Sequence, residues 1–301
     1  MYYLVYGLFY LLSLLPLWLL YGISDLLYGL TYYVLRYRRR VVMDNLRKAF
    51  PEKQNVELVS IAKKFYRSFI DNFIEMLKLF SATDSFIRRH FQFDNIELIK
   101  KYLDQGRKIQ FHLGHTFNWE MANMAFSLYI KDPVILVYMP LGNKIFERLL
   151  VHLRTRKGSI LVPATDMKSA MIPYRQSSYL LALVADQAPG NPSKSYWLNF
   201  FGRPTPMVQG PERGAKRANA PSFFCTFYKV KRGYYRVKFN LISDKPSELP
   251  EGKLTKDFAQ LLEDDIRQYP DIWLWSHRRW KHEWKEEYNG LWIDTAPLPN
   301  S

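Results

Sequence analysis

From Tyr2 to Ser24 the chain carries no charged residue and is built mostly of Leu and Tyr. At about 1.5 Å per helical residue such a run can cross a hydrocarbon core of about 30 Å. Pro16 lies in mid-run and is expected to kink it. A signal peptide would begin with basic residues and end at a small-residue cleavage site, and neither pattern is present. After Asp25 comes a weaker apolar stretch, Leu26 to Leu35, and then Arg36, Arg38, Arg39 and Arg40. Cations flanking a membrane segment stay on the cytoplasmic side. Residues 1–40 are therefore predicted to be a membrane anchor with its basic flank, and everything after about residue 40 to be cytoplasmic. Spanning is the expectation. The alternative is an apolar hairpin that only dips into the interface, with Leu26–Leu35 as an interfacial helix.

Past the anchor the pattern changes period. Residues 41–83 read as helices, with an apolar stripe through Ile61, Phe65, Phe69, Phe73, Met76 and Leu77 and a break at Phe50-Pro51-Glu52. Short β-branched or aromatic runs follow at Lys108–Phe111, Val134–Tyr138, Ser159–Val162 and Tyr179–Ala185. Helical patterns at Met121–Ile130 and Asn143–Leu153 separate them. That alternation predicts an α/β fold with a largely parallel sheet flanked by helices. Ala220–Val230 and Tyr234–Ser243 read as a late hairpin around Arg232-Gly233, and Thr255–Tyr269 as a helix stopped by Pro270. One catalytic domain is expected over residues 41–294, with a loose tail at 295–301.

Composition narrows the partners. The net charge is +15, from 43 Lys and Arg against 28 Asp and Glu, which favours an anionic partner: nucleic acid, an anionic membrane or an acidic carrier protein. The 21 Tyr and 8 Trp suit a protein at an apolar–polar boundary. A single cysteine, Cys225, excludes an internal disulfide, and its aromatic surroundings read as a buried strand rather than a nucleophile's site.

The candidate chemistry sits directly after a predicted strand, in Phe111-His112-Leu113-Gly114-His115-Thr116-Phe117-Asn118-Trp119-Glu120. Sites of open α/β sheets collect at the carboxyl ends of strands. Five residues apart, His115 and Glu120 would be separated by about 140° on one helix. They can meet only if His115 lies in the loop and Glu120 in the first helical turn. Glu120 would then fix one imidazole nitrogen and leave the other to accept a hydroxyl proton. Backbone N–H groups of the same helix start could face an anionic intermediate. Competing readings are a satisfied core histidine, a zinc site from His112, His115 and Glu120, which lacks further obvious ligands, and a Glu120 that merely complements the helix dipole.

His115-x4-Glu120 resembles the H-x4-D/E signature of the lysophospholipid/glycerolipid acyltransferase superfamily, and the chain as a whole is similar to the bacterial lipid A late acyltransferases. The ordered set carries the resemblance: Asn45-Leu46, Phe50-Pro51-Glu52, Tyr138-x-Pro140-Leu141 with Asn143, then Arg154, Arg156 and Gly158. It continues with Asp186-Gln187-x-Pro189-Gly190, Phe200-Phe201-Gly202-Arg203-Pro204, Gly210-Pro211 and Trp275-x-His277-Arg278-Arg279-Trp280-Lys281. The resemblance implies a glycerolipid-acyltransferase-like mixed sheet on an N-terminal membrane helix. It also implies a His115–Glu120 pair that deprotonates a sugar-lipid hydroxyl for attack on the thioester of acyl carrier protein, without metal or bound cofactor. The enzyme would work at the cytoplasmic face of the bacterial inner membrane on an anionic lipid A precursor.

Two departures put the acceptor in question. Phe117 stands where the family often has Gly, which is expected to reshape the mouth of the site. Met139 stands where it often has a basic residue. An aminolipid, a phosphatidylinositol glycoside or a lysophospholipid is the alternative acceptor.

Arg148, Arg154, Arg156 and Lys157 crowd one helix end, where guanidinium forks suit phosphate and a solvated helix end is the plain alternative. The resemblance favours substrate binding for Arg154 and Arg156, and places Tyr138, Asp186, Gln187 and Arg203 among the substrate-binding candidates. Asp186-Gln187 is otherwise read as a polar pair beside the site or a loop cap. Phe200 and Phe201 are candidates for an acyl channel or the interface. Gly210 to Arg217 reads as a basic helix facing carrier protein or phosphate. The basic and Trp-rich block from Trp273 to Trp284 also fits single-stranded nucleic acid, or a basic membrane scaffold without catalysis. The anchor and the His115–Glu120 element argue against nucleic-acid binding, so no nucleic-acid partner is expected, and the scaffold stays as the non-enzyme alternative.

Overall fold

The computed structural model describes residues 1–299. Its apolar N-terminal run is two helices, α1 (Tyr2–Ser13) and α2 (Leu17–Gly29), bent by 112° at a break that contains Pro16. Proline supplies no N–H to a helix interior and its ring clashes with the preceding turn, so the kink expected at Pro16 becomes a full corner. A π-helical turn, Leu30–Val34, extends α2. Among the described residues no single helix is long and apolar enough to cross a membrane, and only the bent pair passes that test together. The single spanning helix expected over Tyr2–Ser24 is thus a bent pair.

Helix α3 (Arg39–Ala49) leads to α4 (Asn55–Lys78), which opens on a capping box between Gln54 and Glu57. On α4, Phe65 is buried as expected, whereas Phe73 is exposed and the polar Asp71 and Glu75 are buried. The chain then forms α5 (Asp84–His90), β1 (Phe91–Phe93) and α6 (Ile96–Asp104), short elements not singled out from the sequence although α6 buries Ile99 and Leu103 on one face. The predicted alternation follows: β2 (Ile109–Leu113), α7 (Trp119–Tyr129), β3 (Val134–Tyr138), α8 (Lys144–Thr155), β4 (Ile160–Pro163), α9 (Met167–Ala170) and β5 (Leu180–Val184). A two-stranded hairpin, β6 (Ser195–Phe200) and β7 (Arg203–Val208), precedes α10 (Gly210–Ala218). Strands β8 (Ser222–Lys231) and β9 (Tyr234–Ser243) form the late hairpin, and α11 (Lys253–Gln268) closes the regular structure.

Seven strands make one sheet in the order β1-β9-β8-β2-β5-β3-β4, parallel except for β8 against β9. This is the mixed α/β architecture read from the alternating pattern. Strand β2 is buried along its whole length, as a central strand covered on both faces must be. One apolar core, including Phe111, Met124, Phe126 and Phe239, packs α7 on one face. The other, including Phe65, Phe224, Phe258 and Trp275, packs α4 and α11. Cys225 is buried in β8, and burial pushes its thiol well above the usual range, so it is no nucleophile. Of the expected tail, residues 300 and 301 lie outside the described residues.

Candidate active site

Strands β2 and β5 are parallel neighbours, with Leu113 opposite Val184. His115 and Asp186 each stand two residues beyond that pair, so the register of the sheet alone sets them side by side. The contact is close. Asp186 Oδ2 accepts the backbone N–H of His115 at 2.9 Å, and Asp186 Oδ1 is bonded to the ring Nδ1 of the same residue. Trp273 Nε1 donates to Oδ2 at 2.6 Å. Burial pushes the Asp186 carboxyl up, but the facing His115 and the bonds from His115 and Trp273 outweigh it and hold the group at about 2. Asp186 is therefore an anion at any neutral pH.

The loop that carries His115 is held from the far end of the chain. Leu274 N donates to His115 O at 3.0 Å, Phe117 N donates to Ile272 O at 3.0 Å, and Thr116 pairs with Trp273 as an isolated antiparallel bridge. Asn45 fixes that C-terminal segment in turn by donating to the carbonyls of Trp275 and His277 at 2.8 and 2.7 Å. Phe50 packs against both Phe201 and Trp275. Sequence blocks that read as separate motifs thus form one scaffold behind the histidine. Trp273 was legible only as part of an aromatic–basic run, and its role as a donor to Asp186 depends on the fold.

Glu120 lies in the first turn of α7 and His115 in the preceding loop, as the spacing requires. They do not meet. The Glu120 carboxylate accepts Arg154 Nε at 3.1 and 3.0 Å, Arg154 Nη2 at 2.6 Å and the indole N–H of Trp119 at 3.0 Å. The expected bond from Glu120 to His115 is therefore replaced by one from Asp186. The physical reason is that a guanidinium fork on the adjacent helix matches a carboxylate at two points, which one imidazole N–H cannot do.

His115, Trp119, Glu120 and Arg154 open onto a cavity of roughly 720 Å³. Its walls are mostly apolar and include Ala122, Phe126, Leu136, Leu150 and Val151. Tyr138 and Gln187 also line it, as expected of substrate-binding candidates. Arg156 and Arg203 do not. Arg156 bonds the carbonyl of Leu79 at the end of α4, and Arg203 is exposed at the turn of the β6–β7 hairpin. The crowded helix end is thus divided among separate partners, with Lys157 on Asp84 and Arg148 over Tyr2.

Phe200 and Phe201 are core residues, not a channel. Phe117 is buried against Phe65 and Phe69 and does not line the cavity, so it does not reshape the mouth. Met139 does line the cavity. On α10, Gly210, Pro211 and Gly214 face the cavity, while the buried Glu212 caps the start of α11 through Gly252 N and Thr255 N. His112 is buried beside Gln110 and Phe258, and burial pushes it down to about 3. His277 is pushed down to about 4 by burial and by Arg279.

A family model described as bacterial lipid A biosynthesis acyltransferase matches residues 1–282. The chain is also 20% identical over 249 residues to the lipid A biosynthesis palmitoleoyltransferase of Escherichia coli K12, covering 82% of this chain and 80% of that one. The same identity and coverage hold for a lipid A biosynthesis acyltransferase of Shigella flexneri.

Proposed function

The chain belongs to the bacterial lipid A biosynthesis acyltransferase family, and on that premise we propose that it moves a fatty acyl chain from acyl carrier protein to a hydroxyl of a lipid A precursor. The proposed place of reaction is the cytoplasmic face of the inner membrane. His115 is the proposed base, and Asp186 takes the orienting role first expected of Glu120. With Nδ1–H donated to Asp186, Nε2 is the acceptor for the substrate hydroxyl proton. The hydroxyl oxygen attacks the thioester carbonyl as its proton passes to Nε2. When the tetrahedral adduct collapses, the C–S bond breaks and His115 returns that proton to the leaving thiolate. Ester and free thiol are the products.

Glu120 serves this chemistry indirectly, by holding the Arg154 guanidinium at the cavity wall. Arg154 and Tyr138 are the proposed contacts to the polar part of the substrates, and the apolar lining suits the acyl chain. The net charge of +15 suits an acidic carrier protein and an anionic glycolipid. The observation that carries the reading is the contact of Asp186 with His115, which lines this cavity.

The test is transfer of a labelled acyl group from acyl carrier protein to a lipid A precursor, wild type beside His115→Ala. Transfer by the wild type alone supports donor, acceptor and base together. Full activity in the variant would overturn the base. No transfer by the wild type would move the proposal to another acyl donor, coenzyme A first, or to another lipid acceptor. The second acceptor reading rests on Met139 at the cavity, an apolar residue where a cation would hold phosphate.

A further inference from the structure

The bent helix pair is fastened to the catalytic domain by polar bonds. On α2, Ser24 Oγ donates to Asp71 at 2.6 Å and Tyr21 Oη to Glu75 at 2.9 Å. Arg232 bridges Asp25 and Asp71 at 2.9 and 2.6 Å. At the corner, Lys78 Nζ donates to the carbonyls of Ser13 and Leu15 at 2.8 and 3.0 Å. A helix standing across a bilayer would either break these bonds or draw Asp71, Glu75, Lys78 and Arg232 into hydrocarbon, at several kcal/mol for each charge. Helix α1 is about 18 Å long and α2 with its π-helical turn, Leu17–Val34, about 27 Å, each shorter than a hydrocarbon core of about 30 Å.

The outward faces are apolar and uncovered. Leu4, Leu8 and Leu11 form an exposed stripe on α1, and Trp18 and Leu26 continue the exposure on α2. Arg36 and Arg40 follow at once, also exposed. Apolar rows beside cations are the signature of a helix lying in an anionic interface. Helix α1 also packs on the outside of α8, with Tyr2 under Arg148 at 4.0 Å and Tyr6 against His152 at 5.1 Å. Another flank of α8, through Leu150, Val151 and Arg154, walls the cavity. One helix therefore separates the cavity from the apolar pair. Two residues of the cavity lining, Met139 and Leu141, are exposed at 65% and 40%, and Phe146, exposed at 49%, stands on the first turn of α8 beside Glu147, whose carboxylate accepts the N–H of Leu141 at 2.7 Å.

We propose that α1 and α2 lie in the plane of one anionic leaflet and that the cavity rim at Met139 and Leu141, with Phe146 beside it, rests on that same leaflet, so the lipid acceptor enters sideways. The sideways entry rests on the lipid-acceptor reading above. The two-point contact does not. A rim on the leaflet lets the polar head of a lipid reach His115 without the acyl chains crossing water, which would expose about 0.8 kcal/mol for each CH₂.

The test uses the full chain and needs no catalysis. Cys225 is the sole cysteine and is buried, so Leu8→Cys, Leu26→Cys, Phe146→Cys and Val56→Cys each give one site for a nitroxide label. In vesicles of phosphatidylglycerol and phosphatidylethanolamine, accessibility to oxygen is measured against a water-soluble nickel chelate. Labels at 8, 26 and 146 are expected to show a severalfold rise in that ratio and a common shallow depth, while the label at 56 stays aqueous. An aqueous label at 146 would overturn the rim contact, and a depth ramp through the bilayer centre between 8 and 26 would overturn the in-plane pose. Spin–spin broadening without oxygen access would identify a second copy of the chain as the occupant and overturn both. If the depths are as expected and no transfer from acyl carrier protein to a lipid A precursor is found, the proposed donor or acceptor fails and the membrane contact stands.

Discussion

The carboxylate of Asp186 takes the main-chain N–H of His115 on one oxygen and the ring Nδ1 of the same residue on the other. Two contacts from one buried anion fix both the position of the loop and the tautomer of the imidazole. Asp186→Asn keeps the shape but can present an N–H to Nδ1 and so favour the wrong tautomer. The rate is expected to fall about 10⁴-fold with KM little changed, by analogy with loss of the orienting carboxylate in serine proteases. Glu120→Gln, which leaves the Asp186 contact whole, is expected to act on KM more than on kcat. Steady-state kinetics of the two variants side by side checks this, and the opposite ranking would return the orienting role to Glu120.

Trp273→Phe removes one donor from Asp186 and keeps most of the ring. A hydrogen bond to a charged group contributes about 1.5–3 kcal/mol. The folded Asp186 carboxyl, held at about 2 against an ordinary 3.8, stabilises the protein above pH 3.8, and that contribution is lost as pH falls through about 2. Without the indole N–H the folded value rises toward the unfolded one. The variant should lose part of that contribution at neutral pH and unfold at a higher pH on the acid side, read by acid titration of tryptophan fluorescence. An unshifted acid midpoint would argue against the contact.

Glu75 is expected to give the opposite slope. It is fully buried, and burial raises it from 4.5 to about 7 despite bonds from Tyr235, Asn118 and Tyr21. The unfolded chain releases this proton near 4.5 and the folded chain only near 7, so stability falls as pH rises between those values. At 1.36 kcal/mol per unit the loss is about 3 kcal/mol. Glu75→Gln should flatten that slope in denaturant titrations at pH 5 and pH 7.5, and an unchanged slope would show that Glu75 titrates normally.

Gly114 leaves no room for a side chain. A Cβ there would lie 2.6 Å from Leu262 Cδ1 and 3.5 Å from Asp186 Oδ2. Leu262 is fully buried on α11, so Gly114→Ala is expected to cost about 1–3 kcal/mol by overpacking and to disturb the His115 loop. Thermal unfolding and kcat measured together check it, and a variant as stable and active as wild type would show that Leu262 yields freely.

The sequence by itself determined the secondary elements with a clear period, because burial writes its pattern locally. The strands Val134–Tyr138 and β5, the helices α7 and α11 and the β8–β9 hairpin all carry it. It also determined the candidate base, since His115 follows a strand and precedes a helix start, and the ordered motifs pointed to the family. Tertiary structure decided what His115 touches. Asp186 is distant in sequence and reaches His115 only through the pairing of β2 with β5, whereas the nearby Glu120 is claimed by Arg154 from the next helix. It also decided the N-terminus. An uncharged run with a proline in its middle reads as a kinked anchor, but the bonds that fasten it to Asp71, Glu75 and Lys78 join residues that meet only after folding.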